Sequence, residues 1–95
     1  MKKTVTTPLV DIALRTLDAD DVRRVQAWFD HLRHWDTDDS VRRHAHPLEE
    51  VPGVYLLKTT SDIRVFFKIE GDTITILDVA KKAAIVTSVH IPENG

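Results

Sequence analysis

Arg42-Arg43-His44-Ala45-His46 is the densest run of chemically capable side chains in the sequence. Guanidinium and imidazole groups so close together can grip nucleic-acid phosphates. They can equally form the solvated face of a short helix. His44 and His46, two apart, and His31 and His34, three apart, raise the question of a metal. Neither pair sits in a His-Glu-x-x-His pattern and the nearby acids are of surface type, so no metal and no cofactor are expected. The chain has no cysteine, which excludes thiolate catalysis, disulfides and Cys-based zinc sites. Its 3 glycines supply no phosphate-cradling loop, and no Ser-His-Asp set has support. Trp28, Phe29 and Trp35 are of the type that stacks on bases, but their helical spacing assigns them to a core or a partner interface. Toward the carboxyl end, His90 is the available acid–base group, because imidazole changes charge near neutrality.

The charge balance limits what these residues can do together. The 95 residues carry 13 Lys and Arg against 15 Asp and Glu, a net charge of −2 with histidine neutral. General nucleic-acid binders carry a basic excess. Contact with phosphate must here come from local clusters rather than from the field of the whole chain. The length predicts a single domain over 1–95 with a small core. No apolar run is long enough to span a bilayer, and Met1–Val10 does not read as a signal peptide. The expectation is a cytoplasmic protein with no membrane partner.

The elements that must position these groups follow from periodicity. Residues 1–8 are polar and read as a loose start, and 92–95 as a loose end. Leu9–Leu17 (LVDIALRTL) reads as a strand from its apolar and branched residues. Asp18, Asp20 and Asp21 announce a helix, since carboxylates accept orphan amide hydrogens and suit the positive end of the dipole. Val22, Val25, Phe29 and Leu32 then carry a helical stripe from about Ala19 to about Trp35. Asp36–Ser40 breaks it and caps a short helix from Val41 to about Ala45, which Pro47 limits. Past Pro52-Gly53 the period becomes two. Val54–Thr59, Ile63–Ile69 and Thr73–Val79 read as strands joined by short turns, hence antiparallel. Ala83–His90 is a candidate last strand. Alternation sends Ile63, Val65, Phe67 and Ile69 to one face and Arg64, Phe66 and Lys68 to the other. The fold class is α+β.

Three segments carry a family resemblance. His46-Pro47-Leu48-Glu49-Glu50-Val51-Pro52-Gly53-Val54-Tyr55-Leu56-Leu57 resembles the linker and strand of the RelE/ParE toxin superfamily. Ile63-Arg64-Val65-Phe66-Phe67-Lys68-Ile69 is similar to its next strand, with an arginine before an apolar-aromatic run. Thr73-Ile74-Thr75-Ile76-Leu77-Asp78-Val79-Ala80-Lys81-Lys82 is similar to the strand after that, which ends in a basic pair as in HigB-like members. The likeness runs from about Leu9 to Lys82. It implies an N-terminal strand and two helices packed on one face of an antiparallel sheet.

The resemblance also implies a function, the toxin of a type II toxin–antitoxin pair. RelE- and HigB-like members cut mRNA on the translating ribosome, and ParE-like members poison DNA gyrase. The implied partners are a cognate antitoxin, with ribosome and mRNA in the first case and gyrase in the second. A non-catalytic protein-binding module is the alternative. Metal-free RNA cleavage needs a base for the 2′-hydroxyl, charge to neutralise the phosphorane and an acid for the 5′-oxygen. By resemblance Arg64 binds the scissile phosphate, Lys81 and Lys82 stabilise developing charge, and His90 or a ribosomal group moves protons. Lys58 matches a basic position on the preceding strand. Arg42 and Arg43 are candidates for contacts with RNA. The chain departs from the strongly basic balance common among active members.

Overall fold

Pro8 opens a helix where the sequence reading places a strand. The structure, a computed structural model, describes residues 1–81. Its first helix, α1, spans Pro8–Thr16 with Pro8 in the first turn. There the fixed φ of proline fits and its missing N–H costs nothing. Val10, Ala13, Leu14 and Leu17 lie at i, i+3, i+4 and i+7 and pack into or against the core. This is helical spacing, which the branched composition of the segment masks. The N-terminal strand exists, but as β1, Lys3–Thr6, in the stretch that reads as a loose start.

The acidic helix signal holds. Asp18 caps α2, Ala19–Leu32, accepting a hydrogen bond from the Asp21 N–H at 2.8 Å. Residues 33–37 continue as turns rather than as helix, so the element ends a few residues before the expected Trp35. Asp38 caps α3, Asp39–Arg43, by accepting from the Ser40 N–H. A three-residue strand, β2, Ala45–Pro47, follows directly. The meander is as expected: β3 is Val54–Lys58, β4 is Ile63–Glu70 and β5 is Thr73–Lys81. Gly71 takes φ +58° in the two-residue β4–β5 turn, a conformation that favours glycine.

The sheet order is β1-β5-β4-β3-β2. β2 to β5 pair antiparallel, while β1 pairs parallel with β5. The sheet is therefore mixed, where the sequence predicts a purely antiparallel one. Local turn chemistry shows which neighbouring strands pair, but the return of the chain from β1 to β5 is a non-local event.

All three helices bury side chains against the same sheet face. Val10, Val25, Leu32 and Val41 meet Leu57, Ile63, Val65, Phe67, Ile74, Ile76 and Val79 in one core. Burying each such side chain contributes about 1.5–3 kcal/mol. One irregularity keeps β5 in phase. Phe66 faces Asp78 and Phe67 faces Ile76, so Leu77 is an extra residue in a β-bulge. Strict alternation from Ile74 and Ile76 would turn Asp78 inward. The bulge instead turns Val79 inward and leaves Asp78 half-buried, as an inserted residue shifts the side-chain phase. Thr7 braces the bulge: its hydroxyl donates to the Leu77 carbonyl at 3.0 Å.

Candidate functional site

The sheet face opposite the helices gathers most of the strand-borne cations among the described residues. Alternation along β4 places Arg64, Phe66 and Lys68 there, with Ile63, Val65 and Phe67 buried on the other side. Cross-strand register then builds rows. Lys58, Arg64 and Ala80 form one. His46, Leu56, Phe66 and Asp78 form the next. Val54, Lys68 and Thr75 form a third, and Val5 extends it onto β1. Neighbouring strands are about 4.8 Å apart, so Lys58 and Arg64 are side-by-side cations. Lys3 lies beside Thr73 on the same face. Four cations, Lys3, Lys58, Arg64 and Lys68, thus share it with two acids, Glu70 and Asp78. The local balance is positive although the whole chain is not.

Arg64 is held by its own turn. Its Nη1 donates to the carbonyls of Ser61 at 2.9 Å and Ile63 at 3.0 Å. That turn is tied by side chains: Thr59 Oγ1 donates to the Ile63 carbonyl at 2.8 Å, and the Ile63 N–H donates to Ser61 Oγ at 3.3 Å. Such hydroxyl-closed turns are what a Thr-Thr-Ser-Asp stretch between strands favours. The guanidinium is anchored through one nitrogen. Nη2 and Nε have no hydrogen-bond partner among the described residues and retain the forked geometry that suits two phosphate oxygens. Lys58 is exposed and has no ion-pair partner among the described residues. Lys68 pairs with Glu70 at 3.1 Å.

The structure does not bring every expected site residue to this face. Lys81 is opposite Ile63 in the ladder, on the helix side. Its ammonium lies 3.8 Å from Asp21 Oδ2, which also receives Arg24 at 3.1 Å through its other oxygen. The Lys81 side chain, expected to stabilise developing charge, is thus on the face opposite Arg64. Arg42 and Arg43 sit on α3, whose Val41 is in the core, so they belong to the helix layer. Arg42 is engaged there by Asp39 and by the Trp35 carbonyl, and Arg43 is exposed. Lys82 and His90, like the candidate strand Ala83–His90, lie outside the described residues.

Two further groups reach the cationic face through strand register. His46 and Asp78 end the row that contains Phe66. They are separated by three strand spacings, about 14 Å, so one small reacting centre cannot touch both. The register places them on this face, and β2 carries too little apolar periodicity to be read as a strand. The remaining histidines show other environments. His31 and His44 pack edge-on against the Trp28 ring, with centroids at 5.6 and 4.9 Å. Among the described residues no three His, Asp or Glu side chains are grouped to hold a metal ion. No described helix is long and apolar enough to cross a membrane.

Sequence comparison gives nothing further: no family model matches the chain, and no curated protein is similar to it in sequence. Solved structures do match. The isolated Escherichia coli RelE toxin superposes with a TM-score of 0.67 at 11% identity, covering 94% of this chain and 99% of that one. An archaeal RelE–RelB complex from Pyrococcus horikoshii gives 0.68 at 21% identity, covering 85% and 94%. The toxin–antitoxin complex RelBE2 from Mycobacterium tuberculosis gives 0.62 at 20% identity, covering 84% and 96%. The chain therefore has the fold of the RelE toxins, as its strand motifs suggest.

Proposed function

We propose that this chain is the toxin of a type II toxin–antitoxin pair, acts in the cytoplasm and cuts mRNA on the translating ribosome. The observation that carries the reading is the in-register pair Lys58–Arg64 on the helix-free face of a RelE-type sheet. Cleavage forms a bond from a 2′-oxygen to phosphorus and breaks the bond to the 5′-oxygen. Negative charge grows on the non-bridging oxygens between these events. The unengaged edge of Arg64 can take two of those oxygens, and Lys58 adds a second positive charge. Fixed cations in place before reaction cost little reorganisation. His46 on the same face is available for proton transfer, as His90 is by resemblance, and Lys82 remains the expected further cation. Lys81, paired with Asp21 on the helix side of the sheet, is given no role in this reading.

An antitoxin partner fits the surface as well as the fold. Leu9 and Ile12 on the outer side of α1 are 60% and 57% exposed. Apolar residues presented so openly suit a partner helix or strand. Two of the similar structures are complexes of a toxin with its antitoxin.

Induced expression in a bacterium tests the reading. Wild type is expected to arrest growth with cleavage inside translated mRNA and none in naked RNA. Arg64→Ala is expected to do neither. Arrest with intact mRNA and broken DNA would instead establish the gyrase mechanism. The product of the adjacent small gene is expected to co-purify with the chain and to relieve the arrest. No effect on growth by wild type would leave a binding module.

A further inference from the structure

We propose that Phe66 is a stacking platform for one base of a single-stranded RNA, the base next to the phosphate held by Arg64. The proposal rests on the nuclease reading and adds a specificity-determining residue to it. Phe66 and Phe67 are adjacent in sequence and opposite in role. Phe67 is fully buried in the core and stacks on Tyr55 with ring centroids 5.3 Å apart. Phe66 is half-buried on the far face, lies outside the core, and contacts no other aromatic ring among the described residues. Its cross-strand neighbour Leu56 is likewise outside the core. An apolar floor on the helix-free side of a sheet asks for an occupant.

The charges around it say which kind. Arg64 and Lys68 flank Phe66 along the strand, and Lys58 stands beside Arg64. An aromatic ring with cations on both sides is the arrangement that holds single strands, with phosphates on the rim and a base on the ring. Asp78, beside Phe66 on β5, opposes it on one side only. Its Oδ1 accepts the Val79 N–H at 2.8 Å, and its charge repels phosphate. The backbone of the strand is thereby turned toward Lys58 and Arg64, and the base toward Phe66. Beyond Lys68 a pocket of about 430 Å³ opens against the Val51–Gly53 turn, with Val54 and Leu77 in its wall. It gives room for a neighbouring nucleotide.

Binding of a short oligoadenylate by the full chain, at low salt, tests the platform. Phe66→Leu keeps the apolar bulk and removes the flat ring, and Phe66→Trp keeps a ring that also reports by fluorescence. Loss of one base stack weakens binding about five- to 150-fold. Phe66→Leu is expected to show that loss with an unchanged thermal midpoint, and Phe66→Trp to bind like wild type with its added emission quenched by the oligonucleotide. Phe66→Leu is also expected to broaden the sequence preference of mRNA cleavage in cells. Binding that is lost in Arg64→Ala but unchanged in Phe66→Leu would overturn the platform and leave the nuclease reading standing. If the emission that Phe66→Trp adds is already that of a buried indole and is indifferent to RNA, a protein segment covers the face, and the platform is overturned too. No RNA binding by wild type, together with arrest that spares mRNA, would overturn both.

Discussion

Lys81 and Asp21 meet across the helix–sheet interface, with Nζ 3.8 Å from Oδ2, on the side of the sheet away from Arg64. The Asp21 side chain is nearly buried in the first turn of α2, where a carboxylate also suits the helix dipole. Lys81 is half-exposed, and pairs of that kind add about 0–1 kcal/mol. Lys81→Ala is therefore expected to lower stability by no more than about 1 kcal/mol and to leave growth arrest intact. Asp21→Ala removes the shared partner of Arg24 and Lys81 and is expected to cost more, about 1–2 kcal/mol. Urea unfolding of the two variants checks the order. Loss of arrest in Lys81→Ala with normal stability would return that residue to the site.

The same two-sidedness separates the neighbouring phenylalanines. Phe67 is sealed between Trp35, Tyr55 and the core, with Trp35 edge-on at 5.8 Å. Phe67→Ala is expected to destabilise by about 3–5 kcal/mol through lost transfer energy and a cavity. Phe66→Ala, which empties no core site, is expected to cost about 0.8–1.5 kcal/mol, half the burial value of a large apolar side chain. Equal losses would show that the far face is a second core rather than a docking floor.

Much of this division is legible in the sequence. Ile63, Val65 and Phe67 alternate with Arg64, Phe66 and Lys68, and period two fixes which three go inward. Asp18 and Asp38 declare the caps they form. The errors have physical sources. Leu9–Leu17 holds enough branched residues to suggest a strand, yet Pro8 and the Val10, Ala13, Leu14, Leu17 spacing favour the helix that forms. β1 has one apolar residue, Val5, and exists because β5 offers it a ladder. The basic pair at the end of β5 is visible as a motif, but that Lys81 falls on the helix side depends on the bulge at Leu77, and a bulge leaves no composition signal. His46 joins the site only once β2 is known to be a strand.

That bulge yields a deletion test. Removing Leu77 would restore strict alternation, with Ile74, Ile76 and Val79 still inward, at the loss of the Thr7 bond to the Leu77 carbonyl. The shortened chain is expected to fold with a melting curve shifted down by a few degrees, since one such bond is worth about 1 kcal/mol. Removing Thr75 instead brings Ile74 and Ile76 together, so that one of them must face outward. That variant is expected not to fold cooperatively. Circular dichroism melts of the two decide it, and the bulge assignment fails if Thr75 is the more dispensable residue.

The last prediction concerns how Arg64 is held. Its Nη1 is committed to the Ser61 and Ile63 carbonyls, so the turn aims the rest of the guanidinium at the face shared with Lys58. Lysine would keep the charge but lacks the planar fork, and cannot both hold the turn and present two donors to a phosphate. Arg64→Lys is therefore expected to fall nearly as far as Arg64→Ala, a loss of about 10²–10³ in cleavage rate, with both proteins folded. Ser61→Ala removes a hydroxyl that accepts the Ile63 N–H but leaves the Ser61 carbonyl in place. It is expected to loosen the turn and cost cleavage about tenfold, between wild type and Arg64→Lys, since a small misplacement of a catalytic group already slows reaction. Primer extension on a translated message measures all three. Full activity in Arg64→Lys would mean that charge alone suffices at this position and that the anchoring turn has no part in the chemistry.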